Sequence, residues 1–214
     1  MPIRTLLAAL ALFAAAPAWT QEAASPAPAR SALPARDPGA TPLVDELRKG
    51  GYILYFRHAS TDFSQNDERM KSYEDCANQR NLIEKGRTEA RAAGTAIRNL
   101  RIPIGRVLAS PFCRTVETAE LLFGRAEKMP EVRGGPAVPA RSGRYAQLKK
   151  LLATPVSPGA NLVVVSHGNP FYSVAGPPHL AEGEAAVIHP LGADFRVVAR
   201  IRIDGWEALK SAAQ

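Results

Sequence analysis

The chain has 214 residues, 46% of them hydrophobic and 22% charged, with 27 Lys and Arg against 20 Asp and Glu. That balance excludes a chain disordered throughout, and the 2 cysteines exclude both a disulfide scaffold and a four-cysteine zinc site. A formal charge of +7 attracts phosphates, anionic sugars, membranes and nucleic acid alike, so by itself it selects no partner.

In chain order, Arg4 precedes an apolar run from Leu6 to Ala16 that is of signal-peptide length. Ala16-Pro17-Ala18 offers the small-x-small pattern of a cleavage site, so residues 1–18 are expected to be a signal peptide, with a cut after Thr20 as the second choice. The mature protein is then periplasmic or secreted. No later run is long and apolar enough to cross a bilayer, so no stable membrane insertion is expected after cleavage. Residues 19–40 are rich in Pro and Ala, with Leu33 the sole large apolar residue of the stretch after Gln21. Such a segment buries too little surface to offset its ordering entropy and reads as a disordered, semi-stiff linker. Residues 41–214 are the expected folded domain.

Thr41-Pro42 reads as an N-cap and first helical residue, opening a short helix that stops at Gly50-Gly51. Tyr52 to Phe56 is a glycine-bounded apolar run, as expected of a strand buried on both faces. Ser60 to Asn81 is polar and irregular. Glu84 to Leu100 has an apolar stripe at Ala90, Ala93, Ile97 and Leu100 and is expected to be helical. Arg106 to Ala109 is a second strand. Ser110-Pro111 is expected to cap a helix running to Gly124. Met129 to Ala140 reads as loop and Tyr145 to Leu152 as helix. Leu162 to Val165 is a third buried strand, and Asn169 to Ala175 supplies one or two helical turns. Glu184 to Ile188 and Phe195 to Ile203 are strands, the latter nearer an edge. The alternation predicts an α/β fold: a three-layer α/β/α domain with a mostly parallel sheet and helices on both faces.

Three of these strands run into the same chemistry. The first leads into Arg57-His58, the second into Ser110-Pro111-Phe112-Cys113-Arg114-Thr115 and the third into Ser166-His167-Gly168. Ligands of open α/β sheets bind outside the carboxyl ends of the strands. Taken singly, each of these pieces reads as a surface charge pair, an exposed helix residue or a capped loop. Jointly they describe a phosphate site. Arg57 and Arg114 present planar forks to phosphate oxygens, one neutral imidazole attacks phosphorus, and the second steadies the transferring group. The guanidinium groups supply the positive charge, so neither a metal nor a cofactor is expected.

At these residues the chain resembles the histidine phosphatase superfamily, also called the phosphoglycerate mutase-like family. Arg57-His58-Ala59 is similar to the family's Arg-His-Gly, with Thr61 at a frequent threonine position. Asn81 to Gly86 resembles its Leu-Thr-x-x-Gly helix start, with Ile83 in place of Thr. Ser110 to Thr115 resembles its Ser-Pro-x-x-Arg-Thr segment, and Ser166-His167-Gly168 its second histidine motif. The resemblance spans about Gly51 to Ile203. It implies that His58 is the phosphorylated nucleophile and that Arg57, Arg114 and His167 complete the phosphate pocket. Ala59 replaces the usual glycine. Met129 to Gly135 lacks the Leu-x-Glu pattern that supplies many members with an acid. Glu184, which opens a strand soon after the second histidine motif, is the first candidate for that acid, followed by Asp62 and Glu131. Without an acid, good leaving groups such as phosphohistidine, acyl phosphates or anhydrides are favoured.

An even cysteine count in an exported chain predicts a Cys76–Cys113 disulfide tying the polar loop to the arginine-bearing helix. The expected activity is that of a metal-independent phosphatase working through phosphohistidine. Its expected partner is a small phosphorylated substrate or a phosphorylated envelope component. A mutase is the alternative within the same chemistry, and a non-catalytic phospholigand-binding protein is the alternative outside it. Scattered basic residues with no aromatic platform pattern argue against nucleic acid.

Overall fold

The computed structural model describes residues 40–212, all within the second of the two units into which the chain divides, Pro34–Gln214. The predicted signal peptide, 1–18, and all but the last residue of the linker, 19–40, lie outside the described residues. Six strands form one mixed sheet: β1 (Ile53–Arg57), β2 (Ile104–Ala109), β3 (Glu127–Lys128), β4 (Asn161–Ser166), β5 (Ala185–Pro190) and β6 (Phe195–Ile201). Their spatial order is β3-β2-β4-β1-β5-β6. The pairs β3–β2, β2–β4 and β4–β1 are parallel, whereas β1–β5 and β5–β6 are antiparallel. The sheet is therefore parallel except for β5, the one strand that runs against the rest. The strand with partial alternation, β6, is an edge strand, as its pattern predicts.

The helices are α1 (Ala40–Lys49), α2 (Glu84–Asn99), α3 (Cys113–Phe123), α4 (Ala146–Ala153), α5 (Gly168–Ala175) and α6 (Gly205–Ala212). Successive residues of β1 serve opposite faces, as strand geometry requires. Leu54 and Phe56 join Val163, Val165 and Val187 under α1, α2, α3 and α6, whereas Ile53 and Tyr55 join Leu108, Val164 and Ile188 under α4 and α5. The result is the expected three-layer arrangement. Complete burial of side chains such as Phe56, Leu122 and Leu148 contributes about 1.5–3 kcal/mol each. Trp206 of α6 closes the first layer, its ring stacked 5.8 Å from that of Phe56. The sequence pattern did not single out α6.

Two predicted helix starts are corrected. Thr41 lies inside α1 rather than capping it. Helix α3 begins at Cys113, with Phe112 at the cap position and no side-chain cap bond. Ser110 cannot act as a cap because its hydroxyl is committed elsewhere: it is buried and lies 2.8 Å from His167 Nε2. The Thr115 hydroxyl donates to backbone carbonyls here, lying 2.7 Å from both the Ser110 and the Phe112 carbonyl oxygens.

Candidate active site

Parallel pairing brings the ends of β1, β4 and β2 side by side. Arg57 pairs with Ser166, Phe56 with Val165, and Ala109 also with Val165. The residues that follow these strand ends, His58, Ser110 and His167, are thereby gathered into one place. A cleft of about 430 Å³ opens there, lined by Arg57, His58, Arg114 and His167 together with Asp67, Arg80, Phe112, His179 and the Gly134–Pro136 backbone. Four of the five predicted site residues thus meet; Glu184 does not.

The loop that follows β1 is fixed from beneath. The His58 N–H donates to the Ser166 carbonyl at 3.0 Å, and the Ala59 N–H donates to the Thr118 hydroxyl at 3.1 Å. Helix α2 docks so closely on this loop that a Cβ at Gly86 would lie 2.4 Å from the Ser60 carbonyl oxygen. Ala59 fits where the resemblance implies glycine because its backbone keeps a negative φ; among the described residues Arg101 is the one non-glycine with positive φ.

His58 Nδ1 lies 3.0 Å from the Ala59 carbonyl oxygen. A carbonyl only accepts, so Nδ1 carries the proton and Nε2 carries the lone pair. Burial pushes the His58 pKa well below the ordinary histidine value, opposed by the bond to Ala59 and reinforced by Arg114, Arg57 and Arg80. The ring is neutral at neutral pH. His167 is lowered in the same sense, by burial first and then by His58 and the three arginines. The two rings meet edge to face with centroids 5.4 Å apart.

The guanidinium groups of Arg57 and Arg114 are anchored by protein acceptors. Arg57 Nη1 donates to the Leu180 carbonyl at 2.8 Å. Arg114 forks onto Asp67, with Nη1–Oδ1 and Nη2–Oδ2 both 2.9 Å, and Nη1 also reaches the Arg80 carbonyl at 3.2 Å. The guanidinium of Arg80 lies over the exposed Phe63 ring, 5.0 Å from its centroid. Among the described residues four buried side-chain donors have no partner, and three of them are the Nε–H groups of Arg57, Arg80 and Arg114. Unsatisfied buried donors are costly. The three arginine side chains all line the cleft, and guanidinium groups suit the oxygens of a tetrahedral oxyanion. The N-terminal end of α5 adds its partial positive charge, since Gly168 and Asn169 also line the cleft. The corresponding backbone N–H of α3 is already engaged, because Cys113 donates to the Gln79 side chain at 2.9 Å.

The three predicted acids lie elsewhere. Glu184 accepts from Arg200 of β6 at 2.9 and 3.2 Å and from the Ala181 N–H at 2.7 Å, and it is absent from the cleft wall. Its pairing follows from the β5–β6 register, which sets Arg200 opposite Ala186, two residues beyond Glu184. Asp62 accepts from Ser64 on the surface, and Glu131 lines a separate surface cleft with Arg133 and Arg144. Asp67 is the one carboxylate on the cleft wall. Burial alone would raise its pKa; the Arg114 fork and the Arg80 N–H outweigh burial and hold it below the usual range. Among the described residues no three His, Cys, Asp or Glu side chains gather as a metal site.

Arg80, Asp67 and His179 were missed because they occupy irregular segments with no periodicity. One signal was available for Arg80. Cys76 stands four positions before it, and a bond to Cys113 draws this loop onto the start of α3. The Cys76–Cys113 disulfide is present, with Cα atoms 5.7 Å apart. Its sequence separation of 37 corresponds to about 4 kcal/mol in the chain-entropy model. A Cys76→Ser/Cys113→Ser variant should therefore lose about 4 kcal/mol in urea unfolding and should bind oxyanions more weakly, since Arg80 and Asp67 are freed with the loop. An unchanged unfolding midpoint would show that the loop is held without the bond.

Residues 53–135 match the family model described as histidine phosphatase superfamily (branch 1). No curated protein matches the chain. Among solved structures, the protein histidine phosphatase SixA, complexed with tungstate, is similar at 20% identity and a TM-score of 0.51, covering 72% of this chain and 97% of that one. Mycobacterial hydrolase 1 is similar at 16% identity and a TM-score of 0.50, covering 69% of this chain and 97% of that one. At these identities the likeness is one of fold. The fold is that of the histidine phosphatases, and residues 53–135 carry the match to that superfamily's model.

Proposed function

We propose that this chain is an exported phosphatase that moves the phosphoryl group of a phosphorylated substrate onto His58 and then onto water. The observation that carries the reading is the convergence of Arg57, Arg80 and Arg114 on one cleft with a neutral imidazole whose Nε2 bears the lone pair. The arginines hold the phosphoryl oxygens, with His167 beside them. His58 Nε2 forms a bond to phosphorus while the bond from phosphorus to the leaving atom breaks, its electron pair departing with that atom. Water then attacks phosphorus, the N–P bond returns its pair to Nε2, and inorganic phosphate leaves. Charge stabilisation by fixed donors is the main source of rate in such transfers.

The leaving group sets the substrate class. The one carboxylate on the cleft wall, Asp67, is ionised and bound by Arg114, so no carboxylic acid stands ready to protonate a poor leaving group. Phosphohistidine, acyl phosphates and anhydrides therefore suit the site better than alkyl esters. This agrees with the name of the protein histidine phosphatase whose fold it shares. The physiological donor is a small phosphorylated compound or a phosphorylated envelope component outside the cytoplasm. The disulfide is compatible with that compartment.

The test is a panel of acetyl phosphate, phosphohistidine, p-nitrophenyl phosphate and glycerol phosphate, with kcat/KM measured in EDTA. The alkyl ester should be at least about 100-fold slower than acetyl phosphate, the scale of a missing general acid. Equal rates would overturn the substrate class. If none is turned over by folded protein and no acid-labile phosphoenzyme forms, the chain is a binding protein on this scaffold.

A further inference from the structure

The mechanism uses the cleft face of Arg57 and His58 but leaves unexplained what stands behind them. That position belongs to Glu182, in the segment between α5 and β5. Its side chain is 13% exposed and is absent from the cleft wall. Oε1 accepts from the Thr61 hydroxyl at 2.6 Å and from Arg57 Nη2 at 3.5 Å, and Oε2 accepts from the Thr61 N–H at 3.1 Å. The same oxygen Oε1 lies 3.9 Å from His58 Nδ1, the edge of the ring opposite the nucleophilic nitrogen. The backbone beside it grips the same two residues: Gly183 N–H donates to the His58 carbonyl at 2.8 Å, and Arg57 N–H donates to the Glu184 carbonyl at 3.0 Å. Gly183 has φ +74, and a Cβ there would meet the Ile203 side chain at 2.7 Å, so this tight turn requires glycine.

We propose that Glu182 is the positioning residue of the nucleophile, holding Arg57 and the Thr61 loop from behind and balancing the positive charge that His58 acquires when it is phosphorylated. The inference rests on the reading of His58 as nucleophile. When Nε2 bonds to phosphorus, Nδ1 keeps its proton, and the imidazole ring passes from neutral to cationic. That cation forms in a buried site ringed by Arg57, Arg80 and Arg114, where like charge opposes it. Glu182 supplies the nearby negative charge on the Nδ1 side. Asp67, the other carboxylate at the site, is bound to Arg114. An interaction stronger with the charged ring than with the neutral one accelerates phosphorylation rather than substrate binding. It also slows the return of the ring to neutrality, so it stabilises the phosphoenzyme.

Glu182→Gln tests this, because the amide keeps an acceptor for Thr61 and removes the charge. With acetyl phosphate as substrate, rapid quench should show phosphoenzyme formation slowed about 30-fold, the scale of one charge removed a few ångströms away. KM and inhibition by inorganic phosphate should shift less than about 3-fold, since the cleft face is unchanged. The sign of the second step is diagnostic. Decay of the phosphoenzyme should be as fast as in the wild type or faster, and the steady-state phosphorylated fraction should fall. Slowing of formation and decay together would mark Glu182 as merely structural and overturn the proposal, as would unchanged rates for both. If the amide variant does not fold, Glu182→Asp carries the same test, with the charge kept but withdrawn by one methylene and the shift smaller. Wild type that forms no phosphoenzyme, with His58→Ala no different from it, would instead overturn the nucleophile reading and is distinguishable from all of these.

Discussion

His58→Ala should abolish turnover, lowering kcat by about 10⁴-fold or more while leaving a folded protein, as removal of a nucleophile does in other covalent enzymes. The substitution deletes one ring bond, from Nδ1 to the Ala59 carbonyl, and leaves β1 and its β4 and β5 partners intact. Full activity in the variant would refute the nucleophile, and acid-labile phosphate trapped in the wild type and lost in the variant would support it. Protonation of His58 should not limit turnover between about pH 6 and 8, because burial keeps the folded-state ring neutral well below the ordinary value. The linkage to stability has a definite sign. The unfolded histidine takes up a proton as pH falls through about 6.5 while the folded one does not, so stability is full above that pH and declines below it. His58→Ala should therefore lose less stability than the wild type between about pH 7.5 and 5.5. Unfolding midpoints at the two pH values measure this, and an identical decline in both proteins would place the titration elsewhere.

Arg114→Ala should raise the barrier by about 2–4 kcal/mol, a fall of roughly 30- to 1,000-fold in kcat/KM, on the scale of losing a fixed donor to a developing charge. Arg114 is 5% exposed, and its guanidinium carbon lies 4.6 Å from the centroid of the Phe112 ring. Nη1 is engaged by Asp67 and the Arg80 carbonyl, and Nη2 keeps a second N–H for a ligand beside its bond to Asp67. Two losses therefore combine: an oxyanion contact, and the partner that keeps Asp67 ionised and in place. Arg114→Lys should recover little, because an ammonium cannot hold Asp67 with a planar fork while offering a third N–H in the same plane. Inhibition by vanadate, a tetrahedral oxyanion, separates the two losses. It should weaken in Arg114→Ala; an unchanged inhibition constant together with unchanged kcat/KM would make Arg114 a structural residue only.

Short-range chemistry was enough for the frame. The glycine-bounded run of β1, the β-branched residues of β4 and the small-residue stripe of α2 each have a periodicity or composition that admits few alternatives, so the α/β order and the helix faces follow from the residues themselves. The same is true of Arg57, His58, Arg114 and His167, each standing at or just beyond the end of a strand or start of a helix, where an α/β sheet collects its ligands. The cysteine pairing was accessible too, since two cysteines allow one intramolecular bond.

Other features depended on contacts distant in sequence. Arg80, Asp67 and Glu182 sit in irregular segments whose conformation is set by a disulfide, by the Arg114 fork and by Thr61, and no local pattern encodes where such a segment comes to rest. Ser110 has the local features of a helix cap, yet its hydroxyl lies against a histidine 57 positions away. Glu184 has the right distance in sequence from the second histidine motif to be an acid, but the antiparallel β5–β6 pairing delivers Arg200 to it. A carboxylate's role is decided by which charge reaches it first, and that is a property of strand register and loop packing, which exist only once the chain has folded.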